Sequence, residues 1–112
     1  MIVGTTIFYF DGTRYYSPEF PRGGLAGRFS VDVTHYAVSG AAQLDIIIQS
    51  RNSEDTTFGD LGTIGITGTG VATVDVLSVQ EIVRLAFNFS GGSPAASDAV
   101  HLLVQPPSWR PY

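Results

Sequence analysis

A stretch of strict two-residue alternation constrains the fold of this chain most. Residues 83–89 read V-R-L-A-F-N-F, so apolar side chains alternate with Arg84, Ala86 and Asn88. A period of two is that of a β-strand with one face in a core. Two aromatic rings and two aliphatic side chains on a single face need a second layer to cover them. The stretch therefore predicts a core strand of a layered β-structure.

Similar β-branched and apolar stretches recur along the chain, and turn residues separate them. No segment shows a 3.6-residue period beyond one turn, so no helix is predicted. About seven to eight strands at this spacing predict an all-β fold, an antiparallel β-sandwich of jelly-roll or immunoglobulin-like type. The predicted strands are residues 2–10, 28–38, 43–50, 61–67, 71–77, 83–89 and 100–105.

The residues between the strands predict how they connect. Residues 51–59 are polar and acidic, and we expect them to form a loop that joins the two sheets. Gly68-Thr69-Gly70 predicts a turn of a hairpin formed by residues 61–67 and 71–77. Ile47 points outward in its predicted strand, which indicates partial cover on the second face of that sheet. Across the sandwich, the strand at 83–89 is expected to face Phe29, Val31, Leu44, Ile46 and Val74.

The length predicts one domain, because 112 residues suffice for a core but not for a second unit. We expect a single sandwich over residues 1–112, with an N-terminal arm or loop at 1–27 and an extended Pro-rich tail at 106–112. Cysteine is absent, which excludes disulfides and thiolate metal sites. The first ten residues lack a basic region and a long apolar run, so neither a signal peptide nor a transmembrane segment is expected.

Charge narrows the range of partners. Charged residues make up 14% of the chain, against about 25% in typical soluble domains. A surface this poor in charge is typical of a subunit in an assembly. The net charge of −4 argues against nucleic acid as a partner, since phosphate binding needs a positive patch. All six cations are arginine, which reflects either codon bias or a need for bidentate pairing with carboxylates at subunit contacts.

No residue pattern indicates catalysis, a cofactor or a metal, so we expect a non-enzymatic protein. His35 and His101 lie on predicted strands without a third ligand at a recognisable spacing. The acidic residues at 54, 55 and 60 do not follow the EF-hand pattern, and we interpret them as a solvated loop. The glycine-rich residues 62–70 lack the Gly-Lys-Ser/Thr of a phosphate loop.

Two segments are candidates for contacts with a partner. Residues 14–27 predict a long loop rich in aromatics and proline, and the tail Q-P-P-S-W-R-P-Y carries the only tryptophan beside an arginine. The alternative is that these aromatic residues fold back and cap the ends of their own sandwich. The candidate partner-binding residues are Tyr15, Tyr16, Phe20 and Arg22 in the loop, and Trp109, Arg110 and Tyr112 in the tail.

Three segments resemble those of small all-β virion proteins of tailed bacteriophages, the capsid decoration or cement proteins. They are R-N-S-E-D-T-T (51–57), I-V-R-L-A-F-N-F (82–89) and P-S-W-R-P (107–111), within a similarity that covers the chain from about Gly23 onward. The resemblance implies a β-sandwich without enzymatic activity on the exterior of the capsid. Such a protein bridges subunits of the major capsid protein and is often a homo-oligomer, either a dimer or a trimer.

Other functions stay open at this point. One is another virion component, such as a tail, neck or fibre-associated protein. A second is a carbohydrate-binding module, because jelly-roll sandwiches often bind sugars. In that case Tyr15, Tyr16 and Trp109 should form a platform on one face. A small hydrolase is disfavoured by the lack of a nucleophile, base and acid pattern.

Overall fold

The computed structural model describes residues 15–38, 43–90 and 99–111, together with the backbone of residues 5–9. These ranges contain ten β-strands and no helix, and hence no helix able to cross a membrane. The predicted all-β class is confirmed. The strands are β1 Thr5–Tyr9, β2 Tyr15–Tyr16, β3 Phe20–Pro21, β4 Ala26–Ala37, β5 Gln43–Arg51, β6 Gly59–Ile66, β7 Gly70–Val76, β8 Ile82–Ser90, β9 Ala99–Val104 and β10 Ser108–Arg110.

The strands form two antiparallel sheets that pack face to face. In the first sheet, β1 pairs with β9, and β9 and β10 lie one after the other along one side of β4. β7 occupies the other side of β4. In the second sheet, β2 and β3 lie one after the other along β8, and β5 and β6 follow on its other side. Each sheet therefore has four strand positions, one of which two strands share.

The strands pair from the ends of the chain inward, which makes this sandwich a jelly roll. β1 pairs with β9, β2 and β3 with β8, β4 with β7, and β5 with β6. The chain is thus one long antiparallel hairpin, with its tip at residues 52–58, rolled into two layers. This pairing over eight strand positions is that of a jelly roll and differs from the immunoglobulin arrangement. The structure decides between the two types that the sequence left open.

The core lies between the sheets and takes side chains from alternate positions of the strands. On β8, Val83, Leu85, Phe87 and Phe89 are all 9% exposed or less, which confirms the predicted core face of this strand. On the other face of the same sheet Ile47 is also buried, at 9% exposure, so the predicted partial cover is confirmed. The fully buried side chains of the core include Phe29, Val31, Leu44, Ile46, Ile48, Ile66, Val79, Val100 and Leu102.

The predicted neighbours of β8 across the core were partly wrong. Phe29, Val31 and Val74 do belong to the opposite sheet. Leu44 and Ile46, in contrast, lie beside β8 in its own sheet, because β5 is the neighbour of β8. Side-chain alternation identifies the inner face of a strand, but both sheets of a sandwich have an inner face, so it does not identify the sheet.

The two predicted connections were assigned to the wrong places. Residues 52–58 join β5 to β6 within one sheet, whereas residues 67–69 carry the chain from β6 in the second sheet to β7 in the first. The predicted hairpin of residues 61–67 with 71–77 is therefore wrong. Gly70 begins β7 with a φ of 120°, a backbone conformation that side chains other than that of glycine disfavour. Gly70 therefore lies where the chain passes from one sheet to the other and is not part of a tight hairpin turn.

Candidate interaction surface

The segment predicted as the first loop is an edge of the second sheet. β2 and β3 both pair with β8. Between them, the N–H of Ser17 donates to the carbonyl oxygen of Leu85 and the N–H of Leu85 donates to Oγ of Ser17, both at 2.8 Å. Pro18 has no N–H, so the ladder stops there. The loop prediction was wrong for these strands because backbone pairing, rather than a side-chain period, forms this edge.

The aromatic side chains of this edge face in both directions. Tyr15 lies opposite Phe87 and therefore on the core side, and Phe20 also packs against the core. For Tyr15 and Phe20, the alternative that they cap their own sandwich is confirmed. Tyr16 lies opposite Ala86 on the outer face and is 49% exposed. Of the three aromatic candidates in this segment, Tyr16 remains accessible to a partner.

Trp109 packs on its own domain. β10 pairs with the beginning of β4, with Trp109 opposite Gly27. The indole meets Phe29 edge-on, with ring centroids 5.6 Å apart and planes at 83°. A Cβ added to Gly27 would stand 3.0 Å from Cε3 of the indole, so the ring lies directly on this backbone. The alternative that Trp109 folds back over its own sandwich is confirmed, and residues 108–110 of the predicted tail belong to the first sheet.

Two of the predicted arginines lie at the same end of the sandwich as Trp109. Nη1 of Arg22 donates to the carbonyl oxygen of Val79 at 2.6 Å, and the N–H of Val79 donates to the carbonyl oxygen of Leu25 at 3.0 Å. Arg110 follows Trp109 on β10, and its side chain is exposed. Leu25 is 45% exposed. Three of the predicted residues, Arg22, Trp109 and Arg110, therefore lie at this end of the sandwich.

The aromatic platform expected of a carbohydrate-binding module does not form. Tyr15 faces the core of the second sheet, Tyr16 lies on the outer face of that sheet, and Trp109 packs onto the first sheet. The three side chains therefore do not share a surface. The remaining predicted site residue, Tyr112, lies outside the described residues.

A different surface, which the sequence did not reveal, centres on Arg84 on the outer face of the second sheet. Its Cζ lies 4.0 Å from the ring centroid of Tyr16 and 3.9 Å from that of Phe58. Both rings therefore contact the guanidinium and restrict its position. Cation–π contacts of this kind are favourable even at exposed sites. We call Tyr16, Phe58 and Arg84 the Arg84 patch.

Hydrogen bonds fix Arg84 from the sheet beneath it. Nε of Arg84 donates to Oε1 of Gln49 at 2.8 Å, and Nε2 of Gln49 donates to Oδ1 of Asp60 at 2.7 Å. Gln49 is 5% exposed, and only one orientation of its amide satisfies both neighbours. These bonds cross β8, β5 and β6, so three strands hold the guanidinium in place.

An open cavity of about 650 Å³ borders the Arg84 patch. Nη2 of Arg51 lies 3.5 Å from Oε1 of Glu19, and Cζ of Arg51 lies 5.2 Å from the ring centroid of Phe58. The cavity thus combines an aromatic ring, hydroxyl groups and charges of both signs. Its lining residues are Glu19, Arg51, Asp55, Thr56, Thr57, Phe58 and Arg84.

Arg51 stabilises the loop that carries Phe58. Its Nη1 donates to the carbonyl oxygens of Asn52, Ser53 and Asp55 at 2.9 to 3.4 Å. The same loop contains a turn in which the N–H of Asp55 donates to the carbonyl oxygen of Asn52 at 3.0 Å. The loop at residues 52–58, which lines the cavity together with Arg84, therefore has a defined conformation.

A contact with Glu81 anchors the same loop from outside. The N–H and Oγ of Ser53 donate to Oε1 of Glu81 at 2.8 and 3.2 Å. These hydrogen bonds, with a smaller contribution from the charge of Arg22, hold the pKa of Glu81 below its ordinary value of 4.5. The carboxylate form of Glu81 is thus the form that the loop favours.

Among the described residues, no group of three or more His, Cys, Asp or Glu side chains is placed to hold a metal ion. The fold does bring the two histidines together, with His35 opposite His101 in the pair of β4 and β9. Nδ1 of His101 lies 2.7 Å from Oγ1 of Thr34. Of the acidic loop residues, Asp60 accepts the hydrogen bond from Gln49.

The signal for the Arg84 patch in the sequence was incomplete. The alternation of residues 83–89 placed Arg84 on the outer face, and Gln49 has the same parity in its strand. Phe58 is the single aromatic residue in a polar loop. What joins these residues to Tyr16 is the pairing of β2, β8 and β5, which no local pattern specifies.

No protein-family model matches this chain, and no curated protein shows significant similarity to it.

Proposed function

We propose that this chain is a non-enzymatic protein that binds other protein subunits through the Arg84 patch. The observation that carries the proposal is the guanidinium in contact with two aromatic rings on an outer sheet face. Arginine and tyrosine are enriched among the residues that dominate the binding energy of protein interfaces. Side chains already held in place lose little conformational freedom on binding.

Within this class, we propose a capsid decoration or cement protein of a tailed bacteriophage. It would lie on the capsid exterior and bridge subunits of the major capsid protein as a dimer or trimer. Jelly rolls are frequent among viral capsid domains. Two of the segments that resemble decoration proteins, residues 51–57 and 82–89, supply Arg51 and Arg84 to the cavity and the patch. On a repeating lattice, many copies reduce the affinity that each contact must supply.

A sedimentation experiment with intact particles tests the proposal. The native protein and its variants are expressed in infected cells, and the lysate is separated on a density gradient. We expect the native protein to migrate with the capsids and R84A to remain in the soluble fractions. R28A is the matched control, because Arg28 is also an outward-facing arginine but pairs with Asp75 on the first sheet. A native protein that stays soluble in the presence of capsids would contradict the proposal.

Two further measurements separate the alternatives. Immunogold labelling of particles distinguishes a protein on the capsid exterior from a tail, neck or fibre-associated component, which labels at a different place. A glycan array tests the carbohydrate-binding alternative. We expect no specific binding there, because Tyr15, Tyr16 and Trp109 do not form a shared aromatic platform.

A further inference from the structure

The guanidinium of Arg84 has one edge whose donors are available. Its Cζ lies within about 4 Å of the ring centroids of Tyr16 and Phe58, and its Nε–H is used by Gln49. No described residue accepts a hydrogen bond from Nη1 or Nη2 of this side chain. Since all N–H bonds of a guanidinium lie in its plane, the remaining donors form a fork at the outer edge.

The position of this fork restricts the geometry of a ligand. A carboxylate pairs with arginine either side-on, through Nε and one Nη, or end-on, through Nη1 and Nη2. Because Gln49 occupies Nε, the side-on arrangement is blocked and the end-on arrangement remains. The two ring contacts and the bond to Gln49 hold the guanidinium in place, so that both hydrogen bonds form without further ordering of the arginine.

The charge around the cavity selects among anions. Nη1 of Arg51 donates to three carbonyl oxygens, and its Nη2 faces Glu19 at 3.5 Å. The guanidinium of Arg51 is therefore already paired with groups of its own domain. Asp55 lines the same cavity, so the two arginines are matched by two carboxylates. A phosphate dianion would be repelled by these acids, whereas a single carboxylate needs the one charge that Arg84 offers.

We propose that Arg84 binds the carboxylate of an aspartate or glutamate side chain that a partner protein inserts into the cavity beside Phe58. The carboxylate accepts two parallel hydrogen bonds from Nη1 and Nη2 in the end-on arrangement. Thr56 and Thr57, which line the cavity, supply hydroxyls to the backbone of the inserted segment. The inference rests on the proposed function only in that the partner is a protein.

Nuclear magnetic resonance on the isolated full chain tests this inference without any particle. The probe is the blocked tripeptide acetyl-Gly-Glu-Gly-amide, and the matched control probe is acetyl-Gly-Gln-Gly-amide. We expect the glutamate probe to give saturable shifts of the Arg84 side-chain resonances and of the ring protons of Tyr16 and Phe58 at millimolar concentration. The glutamine probe should give no saturable shift. Equal responses to the two probes, or no response to either, overturn the inference.

Variants and a competing anion sharpen the test. R84K keeps the charge but lacks the planar fork, and we expect it to bind the glutamate probe at least about tenfold more weakly. R28A should bind it like the native chain. Inorganic phosphate that binds at the Arg84 resonances more tightly than the glutamate probe would overturn the assignment of a carboxylate.

The outcomes separate this inference from the proposed function. Binding of the glutamate probe by a protein that does not migrate with capsids leaves the carboxylate site standing and removes the capsid proposal. If migration with capsids depends on Arg84 but the glutamate probe gives no response, the capsid proposal stands and the carboxylate site is removed.

Discussion

Gln49 donates to Asp60 across an irregularity in the pairing of β5 and β6. Ile48 lies opposite Gly62 and Gln49 lies opposite Asp60, so Leu61 is an extra residue on β6. Such a bulge changes which face the following residues occupy. It places the Asp60 carboxylate on the outer face, 2.7 Å from Nε2 of Gln49, and thereby fixes the amide that accepts from Arg84.

Replacing Gln49 by leucine should destabilise the fold and loosen the Arg84 patch. The change leaves Nε of the half-buried Arg84 without its acceptor and Oδ1 of the exposed Asp60 without its donor, at a cost of about 1 kcal/mol. Urea denaturation measures the loss. Q43L is the control, because Gln43 is less buried and its partner Asp45 also accepts from Ser90. A Q49L variant as stable as Q43L would contradict the importance of this link.

Alanine at Gly23 should displace Trp109. A Cβ there would overlap Cδ1 and Cγ of the indole, so the ring or the backbone must move, at about 1 to 3 kcal/mol. Tryptophan fluorescence and thermal unfolding report the change. G68A is the matched control, since a Cβ at Gly68 has no atom within 4 Å. If both variants behave like the native chain, Trp109 does not pack on Gly23 in solution.

Deleting residues 106–112 should destabilise the domain itself. The deletion removes the pairing of β10 with β4 and the partly buried indole that packs on Phe29, and we expect a loss of about 3 kcal/mol. Circular dichroism during chemical denaturation measures it. R110A, which changes only an exposed side chain of β10, should stay within about 0.5 kcal/mol of the native value. A deletion variant of native stability would mean that the tail is free to clamp a neighbour.

Replacing Phe87 by alanine should cost about 3 to 5 kcal/mol, because Phe87 is 3% exposed and its removal leaves a cavity between the sheets. The neighbouring N88A changes a side chain on the outer face and should cost far less. The difference between the two free energies of unfolding tests the assignment of the faces of β8. Equal losses would contradict it.

Stability should fall in acid partly through Glu81. The folded protein holds the pKa of Glu81 below 4.5, so the carboxylate stabilises the fold above that pH. Below pH 4.5 the unfolded chain binds a proton at Glu81 before the folded chain does. The contribution to stability is therefore lost as the pH falls from 4.5 through the lowered pKa of Glu81 in the folded protein. Between pH 6 and pH 3, the midpoint of unfolding should fall less steeply in E81Q than in the native chain. E54Q, which removes an exposed carboxylate from the loop at residues 52–58, is the matched control.

The sequence predicted those features of the fold that depend on side-chain period. The faces of β4, β5, β8 and β9 followed from alternation, since a buried face requires apolar residues at every second position. The partners of the strands did not follow. Leu44 and Phe29 both alternate as core residues, yet Leu44 lies beside β8 and Phe29 lies across from it.

For the candidate site, the sequence predicted only which side chains point outward. The alternation around Arg84 placed its side chain outside the core, but its contact with Phe58 depends on the shape of a loop. That shape comes from the three carbonyl contacts of Arg51. Tyr16 reaches the patch because Pro18 ends a short edge strand just after it, and such strands are too short to show a period.

The pairing of β10 with β4 has a consequence for the growing chain. On the ribosome, β4 emerges long before β10, and the beginning of β4 then has no β10 along one side. A strand edge with unpaired N–H and C=O groups is a template for association with other chains. Copies that lack residues 108–110, whether nascent or prematurely terminated, should therefore be more prone to aggregate than copies that contain them.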